Sequence, residues 1–514
     1  MQPSYCYNVA QRFARTAAAH SERLAISFDG LPITYHQLDV VSDQLARFLL
    51  AKGVQKRDCV CIALEKTLAA YALIVACWKT GATYFSVDPR NPRERLQKIL
   101  VQCSPKLVFA HPGFGMAGYD DRIVFCERAP DNVSICKEYA AGPLSLPYDI
   151  DGSDPVYVMF TSGSTGTPKG ATISNSNLLW FISWAQSQYE LSPHDIITNL
   201  NPLYFDNSVF DIFSSLFSGA TLVPFGAGVM LDPHAIVERI HREGCSVFFS
   251  VPSLLMYLQT MKVAKREYLG SLRKIIFGGE GYPKVKLKPL FDELGDQAEF
   301  YNVYGPTECT CICSSYRVTQ KDFEALDGFP PLGSLIVNFR GYVLDDEQAV
   351  ETGGVGELCL GGPCVGLGYY NQPEQTAKVF VQNPLNSSFH ERLYRTGDLV
   401  RVNPADGQLY FVSRKDLQIK HQGYRIELEE IQHALVAIDG IDEAVALHAV
   451  KDNISSIVAV VATEGKLTAA EIKSKVAEKI PRYMIPEKVH ILERMPKNPN
   501  GKTDRPLLKQ TYAS

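Results

Sequence analysis

The sequence predicts an α/β fold in two parts, a large N-terminal portion of α/β subdomains with a β-rich subdomain and a small C-terminal α+β unit. Three observations lead there. Short β-branched runs alternate with helical patterns between residues 30 and 110, and the alternation resumes from 175 to 277. After about residue 333 Gly-rich strands take over, until a second series of strands and helices begins near Asp416. Strands alternating with helices form mostly parallel sheets covered by helices. A chain of 514 residues exceeds one compact core, and no repeat at a period of roughly 20 to 50 residues suggests a solenoid or propeller.

Taken in order, residues 1–20 carry Arg12 and Arg15 in an amphipathic pattern without the apolar stretch of a secretory signal, and read as a surface helix. Residues 37–52, 67–80 and 92–103 read as helices, and 59–63, 84–87 and 107–110 as strands. The most apolar of these segments, 68–78, is ended by Lys79 and falls short of the roughly 20 residues needed to cross a bilayer, so no membrane span is expected. Leu178, Leu179, Ile182 and Ala185 fall on one helical face, 245–251 reads as a buried strand, and 356–368 is typical of the Gly-rich strands. A turn at 403–407 and a strand lead to Arg414-Lys415-Asp416, which divides a domain over 1–415 from one over 416–514. In the latter, 429–438 and 469–480 read as helices, 456–462 and 488–492 as strands, and the Pro-, Asn- and Gly-rich tail from Lys497 as a loop.

Hydrophobic residues at 46% and charged residues at 21% are those of a folded globular protein. Lys and Arg (51) against Asp and Glu (56) leave a net charge of −5 without a basic stripe, so no nucleic-acid partner is expected. The 13 cysteines are odd in number and none is spaced CxxC, which suits reduced thiols in a cytoplasmic enzyme. Cys309, Cys311 and Cys313 alternate and are expected on one face of a strand; without a nearby His or second cluster they do not make a zinc site.

The segment 161–170, Thr-Ser-Gly-Ser-Thr-Gly-Thr-Pro-Lys-Gly, follows the apolar strand 156–160 and precedes a helix. Its glycines free backbone N–H groups to turn toward an anion, and five hydroxyls and one ammonium add donors of the kind a polyphosphate needs. It is not a Walker A loop, because its lysine precedes a glycine and no Ser or Thr follows.

TSGSTGTPKG (161–170) resembles the phosphate loop of the adenylate-forming superfamily, and further motifs follow in that family's order: ITYHQL (33–38), GATYFSVDP (81–89), YFDNSVFDIF (204–213), NVYGPTE (302–308), GELCLGG (356–362), YRTGDL (394–399), SRKDLQIKHQGYRIELEEI (413–431), PRYMIP (481–486) and NPNGKTDR (498–505). The resemblance covers nearly the whole chain and is strongest to stand-alone adenylation domains of the nonribosomal-peptide type. It implies an acyl-adenylate synthetase fold with a hinge at Asp416, and ATP and Mg²⁺ as cofactors. Thr161, Ser162, Gly163, Ser164, Thr165, Gly166 and Lys169 would hold the phosphates, and Gly279, Glu280, Asn302 and Gly305 would line the nucleotide. Tyr304 would stack on adenine, Thr307 would bond the α-phosphate, Glu308 would hold Mg²⁺, and Asp398 and Arg414 would bind the ribose. Lys502 would bridge the carboxylate and the α-phosphate as they react, a task suited to a cation because two anions must meet. Gly423 would let the pantetheine arm of an acceptor thiol pass.

In the peptide-synthetase branch an Asp at the place of Asp206 pairs with the α-ammonium of the substrate. The remaining pocket positions carry over to Asn207, Phe210, Ser250, Ile276, Gly278, Val303, Cys311 and Ile312. None is ionised, which implies a small or medium uncharged α-amino acid. The chain ends twelve residues after Lys502, so the thiol is expected on a separate phosphopantetheinylated carrier protein, as in natural-product biosynthesis. The layout also resembles D-alanine:carrier protein ligases, except that their pocket cysteine is replaced by Gly278, which is expected to enlarge the cavity. An acyl- or aryl-CoA ligase and a non-catalytic nucleotide-binding protein stay open as alternatives; Asp206 speaks against the first, and Lys169, Glu308, Asp398 and Lys502 against the second.

Overall fold

The computed structural model describes residues 6–129, 133–140, 142, 144, 149–163, 166–451, 454–463, 465, 467–498 and 503–513. Two compact units divide the chain. The first comprises Met1–Asp88, Cys103–Met159 and Gly170–Lys415, and the second Pro89–Gln102, Phe160–Lys169 and Asp416–Ser514.

Three sheets build the first unit. The nine-stranded sheet runs, in spatial order, Ser334–Leu335, Ser314–Val318, Glu299–Tyr304, Lys274–Gly278, Val247–Ser250, Ile196–Asn199, Thr221–Pro224, Leu24–Phe28 and Leu31–Thr34. Its middle strands are parallel and its margins antiparallel. The seven-stranded sheet has Cys59–Ala63 between Thr83–Ser86 and Leu107–Ala110, all parallel. The third sheet, centred on Val355–Gly361 and Arg392–Val402, is antiparallel and is the β-rich part. Helix Leu68–Thr80 is buried along its whole length, as a helix apolar on all sides must be. Its one cation, Lys79, is paired with Asp39 and Asp43 at 2.6 Å each. Among the described residues no helix is long and apolar enough to cross a membrane.

In the second unit Ile454–Ala462 pairs antiparallel with Glu443–Lys451 and parallel with Lys488–Leu492. Alternate residues of the middle strand enter two separate cores. Ile457, Ala459 and Val461 pack with helices Leu428–Val436 and Ala469–Ala477, whereas Val458, Val460 and Ala462 pack with Met495 and Leu508. The hairpin Gln418–His421/Tyr424–Glu427 turns through Gln422 (φ 51°) and Gly423 (φ 83°). Two consecutive left-handed residues are what a tight two-residue hairpin requires.

Four expectations need correction. The tail is not all loop: Arg505–Tyr512 is a helix, started by the Asp504 side chain accepting from Leu507 N and by a proline in the first turn, and it covers the second face of the small sheet. Cys309, Cys311 and Cys313 do not share a strand face. Thr307–Cys309 is a short helical turn, Thr310 (φ 62°) and Cys311 (φ 72°) are left-handed, and the strand begins at Ser314. The 161–170 loop is followed by the strand Lys169–Ser174, and helix Asn175–Gln188 starts only after it, so the loop does not lead directly into a helix. Finally, Gly368–Tyr369 leaves the β-rich sheet and pairs with Lys169–Ser174.

Candidate active site

Ligands of open parallel sheets bind beyond the carboxyl ends of the strands. In the first unit three neighbouring strands end at Ser250, Gly278 and Tyr304, with Ser250 beside Phe277 and Gly278 beside Val303 in register. After Tyr304 the chain turns tightly at Gly305, where a Cβ would stand 2.2 Å from Cys311 O, so only glycine fits. Beyond it Thr307 Oγ1 donates to Asp206 Oδ2 at 2.6 Å. Asp206 precedes helix Asn207–Ser218 and makes no side-chain capping bond. Glu308 is wholly buried, and its Oε1 accepts from Tyr369 OH at 2.7 Å.

Asp398 and Arg414 are opposite each other on adjacent strands. Arg414 donates to Asp398 Oδ1 and Tyr304 OH to Asp398 Oδ2, each at 2.5 Å. Burial, followed by the Asp398 charge, pushes the Tyr304 phenol far up, so it stays a donor. An ionised carboxylate has about four lone-pair sites, so Asp398 keeps capacity for hydroxyls of a ligand.

Phe210, Ile276, Val303, Cys311 and Ile312 belong to one buried apolar cluster. Phe210 meets the Tyr189 and Phe249 rings edge-on, with centroids 5.5 and 5.0 Å away. The Cys311 thiol is pushed well up by burial and then by the Asp206 and Asp211 carboxylates, so it stays protonated and unreactive. Asn207 and Ser250 are buried as well. Gly278 does not enlarge a cavity: a Cβ there would stand 2.4 Å from Val303 O, so the neighbouring strand already fills the space. Asn302 donates its amide to Pro331 O at 2.7 Å and so braces a loop. Gly279 is left-handed (φ 86°), and Glu280 accepts from Ser253 N at 3.2 Å.

Sequence reasoning missed Tyr369 and the polar group under helix Asn207–Ser218. There Asp211 accepts from Asn199 and Asn201 at 2.8 and 3.0 Å, and Lys66 donates to Asn199 O at 2.6 Å. Burial pushes the Asp211 carboxyl up and the Lys66 ammonium down. An Asp inside an apolar helical run was the available signal, because a buried charge needs partners.

The second unit holds most of the 161–170 loop. Gly163 is obligatory, since a Cβ would stand 1.9 Å from Thr167 O, and Gly166 (φ 73°) donates to Gly163 O at 2.9 Å. Ser162 Oγ donates to Arg425 O at 2.8 Å and accepts from Glu427 N at 3.0 Å. Gly163 N donates to Glu430 Oε2 at 3.1 Å, and Lys169 Nζ lies 3.5 Å from Glu427 Oε1. Thr161 Oγ1 donates to Lys169 O at 3.4 Å. Asp416 accepts from Gln418 N at 3.2 Å, and Gly423 sits at the hairpin tip. Ser164, Thr165 and Lys502 lie outside the described residues.

Residues 13–370 match the family model of AMP-binding enzymes, and 430–502 that of the AMP-binding enzyme C-terminal domain. The chain is an AMP-binding enzyme. The L-proline–(L-prolyl-carrier protein) ligase of Streptomyces coelicolor is 32% identical over 511 residues, covering 95% of this chain and 94% of the relative. Gramicidin S synthase 2 of Brevibacillus brevis is 32% identical over 506 residues, covering 98% of this chain, and the chain spans only 11% of that relative's length. Holo-PA1221, a nonribosomal peptide synthetase protein containing adenylation and carrier domains, matches with a TM-score of 0.84 at 24% identity over 98% of this chain and 84% of that one. The o-succinylbenzoate CoA synthetase MenE of Bacillus subtilis also matches at 0.84, with 21% identity over 98% of each chain. This AMP-binding enzyme therefore has the adenylate-forming fold, a large N-terminal and a small C-terminal domain of mixed α/β structure.

Proposed function

We propose that this AMP-binding enzyme uses ATP to convert a small or medium uncharged α-amino acid into its aminoacyl-AMP and then passes the aminoacyl group to the phosphopantetheine thiol of a separate carrier protein. The observation that supports this most is the 2.6 Å bond between Thr307 and Asp206, a carboxylate for an α-ammonium beside a hydroxyl assigned to the α-phosphate. Asp206 anchors the ammonium, and Phe210, Ile276, Val303, Cys311 and Ile312 offer the side chain an apolar, uncharged surround. Asp398, with Arg414 and Tyr304 behind it, takes the ribose hydroxyls, and the 161–170 loop with Lys169 takes the polyphosphate. Lys502 neutralises charge as the carboxylate attacks the α-phosphorus and pyrophosphate leaves. Asp416 is the hinge of the 416–514 domain, and Gly423 borders the path of the thiol.

No group of three or more His, Cys, Asp or Glu side chains among the described residues is arranged to hold a metal. Glu308, a wholly buried carboxylate, fits a Mg²⁺ ion that arrives with ATP, since this cation usually takes one or two carboxylates plus substrate phosphates. When bound, Mg²⁺ would neutralise phosphate charge.

The test is transfer. Purified enzyme with ATP, one uncharged amino acid and a holo-carrier protein is expected to form the aminoacyl thioester, whereas transfer to free CoA from simple carboxylic acids would instead favour a CoA ligase. Lys502→Ala is expected to abolish most pyrophosphate exchange while sparing transfer from supplied aminoacyl-AMP.

A further inference from the structure

Two carboxylates of the chain itself face described groups of the 161–170 loop in the second unit. Glu427 and Glu430 stand at the start of helix Leu428–Val436. Glu430 takes the Gly163 N–H through Oε2 and is paired through Oε1 with Arg95 on helix Arg93–Cys103. Glu427 faces Lys169 and also accepts from Gln418 Nε2 at 2.8 Å. Ser162 Oγ is closed between Arg425 O and Glu427 N. Glu427 and Glu430 are 3% and 4% exposed, so each depends on its partners to offset lost hydration.

One N–H cannot serve a carboxylate and a phosphate at once, and the Lys169 charge that faces Glu427 is the charge a polyphosphate would draw on. We infer that Glu427 and Glu430 are phosphate surrogates, which take over the loop when pyrophosphate leaves and so seat the Gly423 hairpin for the thiol step; nucleotide phosphates must displace them. This rests on the reading of 161–170 as the ATP phosphate loop. The two carboxylates are positioning residues. They oppose the first half-reaction and support the second, an opposition of sign that a purely structural role does not give.

The test uses the full-length enzyme and its Glu430→Gln, Glu427→Gln and Glu429→Gln variants, the last removing the intervening charge. Inorganic pyrophosphate alone is titrated by calorimetry, and transfer from supplied aminoacyl-AMP to holo-carrier is timed. Glu430→Gln and Glu427→Gln are expected to tighten pyrophosphate binding and slow transfer, each by about tenfold, the lower end of what a hydrogen bond to a charged group is worth. Glu429→Gln is expected to change neither. In unaltered enzyme, pyrophosphate is expected to speed amide hydrogen exchange over 424–431, a readout that survives if a variant fails to fold. Unchanged pyrophosphate affinity in both variants, or unchanged exchange over 424–431, overturns the inference. If unaltered enzyme binds pyrophosphate with these effects but activates no amino acid, it is the proposed function that fails.

Discussion

Thr307 and Asp206 lie 101 residues apart in sequence and share a hydrogen bond of 2.6 Å. The first comes from the turn after a central strand, the second from the entry to helix Asn207–Ser218. In the proposed reaction one anchors the ammonium and the other the α-phosphate, so the two reacting substrates are gripped by groups that also hold each other.

Replacing Asp206 by Asn keeps an acceptor for Thr307 and removes the charge. The KM for the amino acid is expected to rise by roughly tenfold or more, the worth of one charge-assisted bond, with the KM for ATP little changed. Steady-state exchange kinetics measure both, and an unaltered amino-acid KM speaks against Asp206 as the anchor.

Tyr304→Phe removes one of the two donors that fix Asp398. Leaving a buried acceptor short of a partner costs about 1–3 kcal/mol, so the KM for ATP is expected to rise by roughly 5- to 150-fold while that for the amino acid stays put. A change confined to the amino acid would place Tyr304 elsewhere.

Gly278→Ala drives a methyl group toward Val303 O. Overpacking of this kind costs about 1–3 kcal/mol, so thermal melting should show a lower Tm. An unchanged Tm with an altered amino-acid range would instead mean that position 278 opens into the pocket.

A pH-dependent element sits in the small unit, where His421 Nδ1 and His448 Nε2 meet Ser455 Oγ at 2.8 and 2.7 Å. Glu487 Oε1 lies 3.5 Å from the far side of His421. Ser455 has one proton to give and two lone pairs, so it can donate to one neutral ring and accept from the other. Burial pushes both histidines below their ordinary range, opposed by Glu487; Lys509 adds to the lowering at His448. With folded values below unfolded ones, this contribution to stability is complete above about pH 6.5 and is lost as pH falls through the folded values. Amide protection of Gln418–His421 and Ile454–Ala462 should therefore hold above about pH 6.5, fall as the pH drops below it, and respond less in His448→Gln. A flat profile in the parent enzyme counts against it.

Much of the fold was legible because its determinants are local. Cys59–Ala63, Leu107–Ala110 and Lys488–Leu492 begin and end where their β-branched runs do. The tail helix was hidden by the Pro, Asn and Gly just before it, although Asp504 and Pro506 mark its start and the wholly apolar run 457–462 calls for cover on both faces. The cysteine alternation misled because Thr310 and Cys311 adopt left-handed backbone that L residues seldom take. Motifs named the candidate residues, but pairings such as Gly163 with Glu430 or Glu308 with Tyr369 join distant segments and carry no local pattern. Gly278 reads in sequence as an absent side chain; only the strand beside it reveals that the space is taken.

The most direct test is amino-acid-dependent ATP–pyrophosphate exchange across a panel of the common L- and D-amino acids with Mg²⁺. Exchange with one uncharged amino acid, or a few of similar size, is the expected result. The absence of exchange with every amino acid, alongside exchange with simple carboxylic acids or with none, would contradict the assignment of this site to aminoacyl-AMP formation.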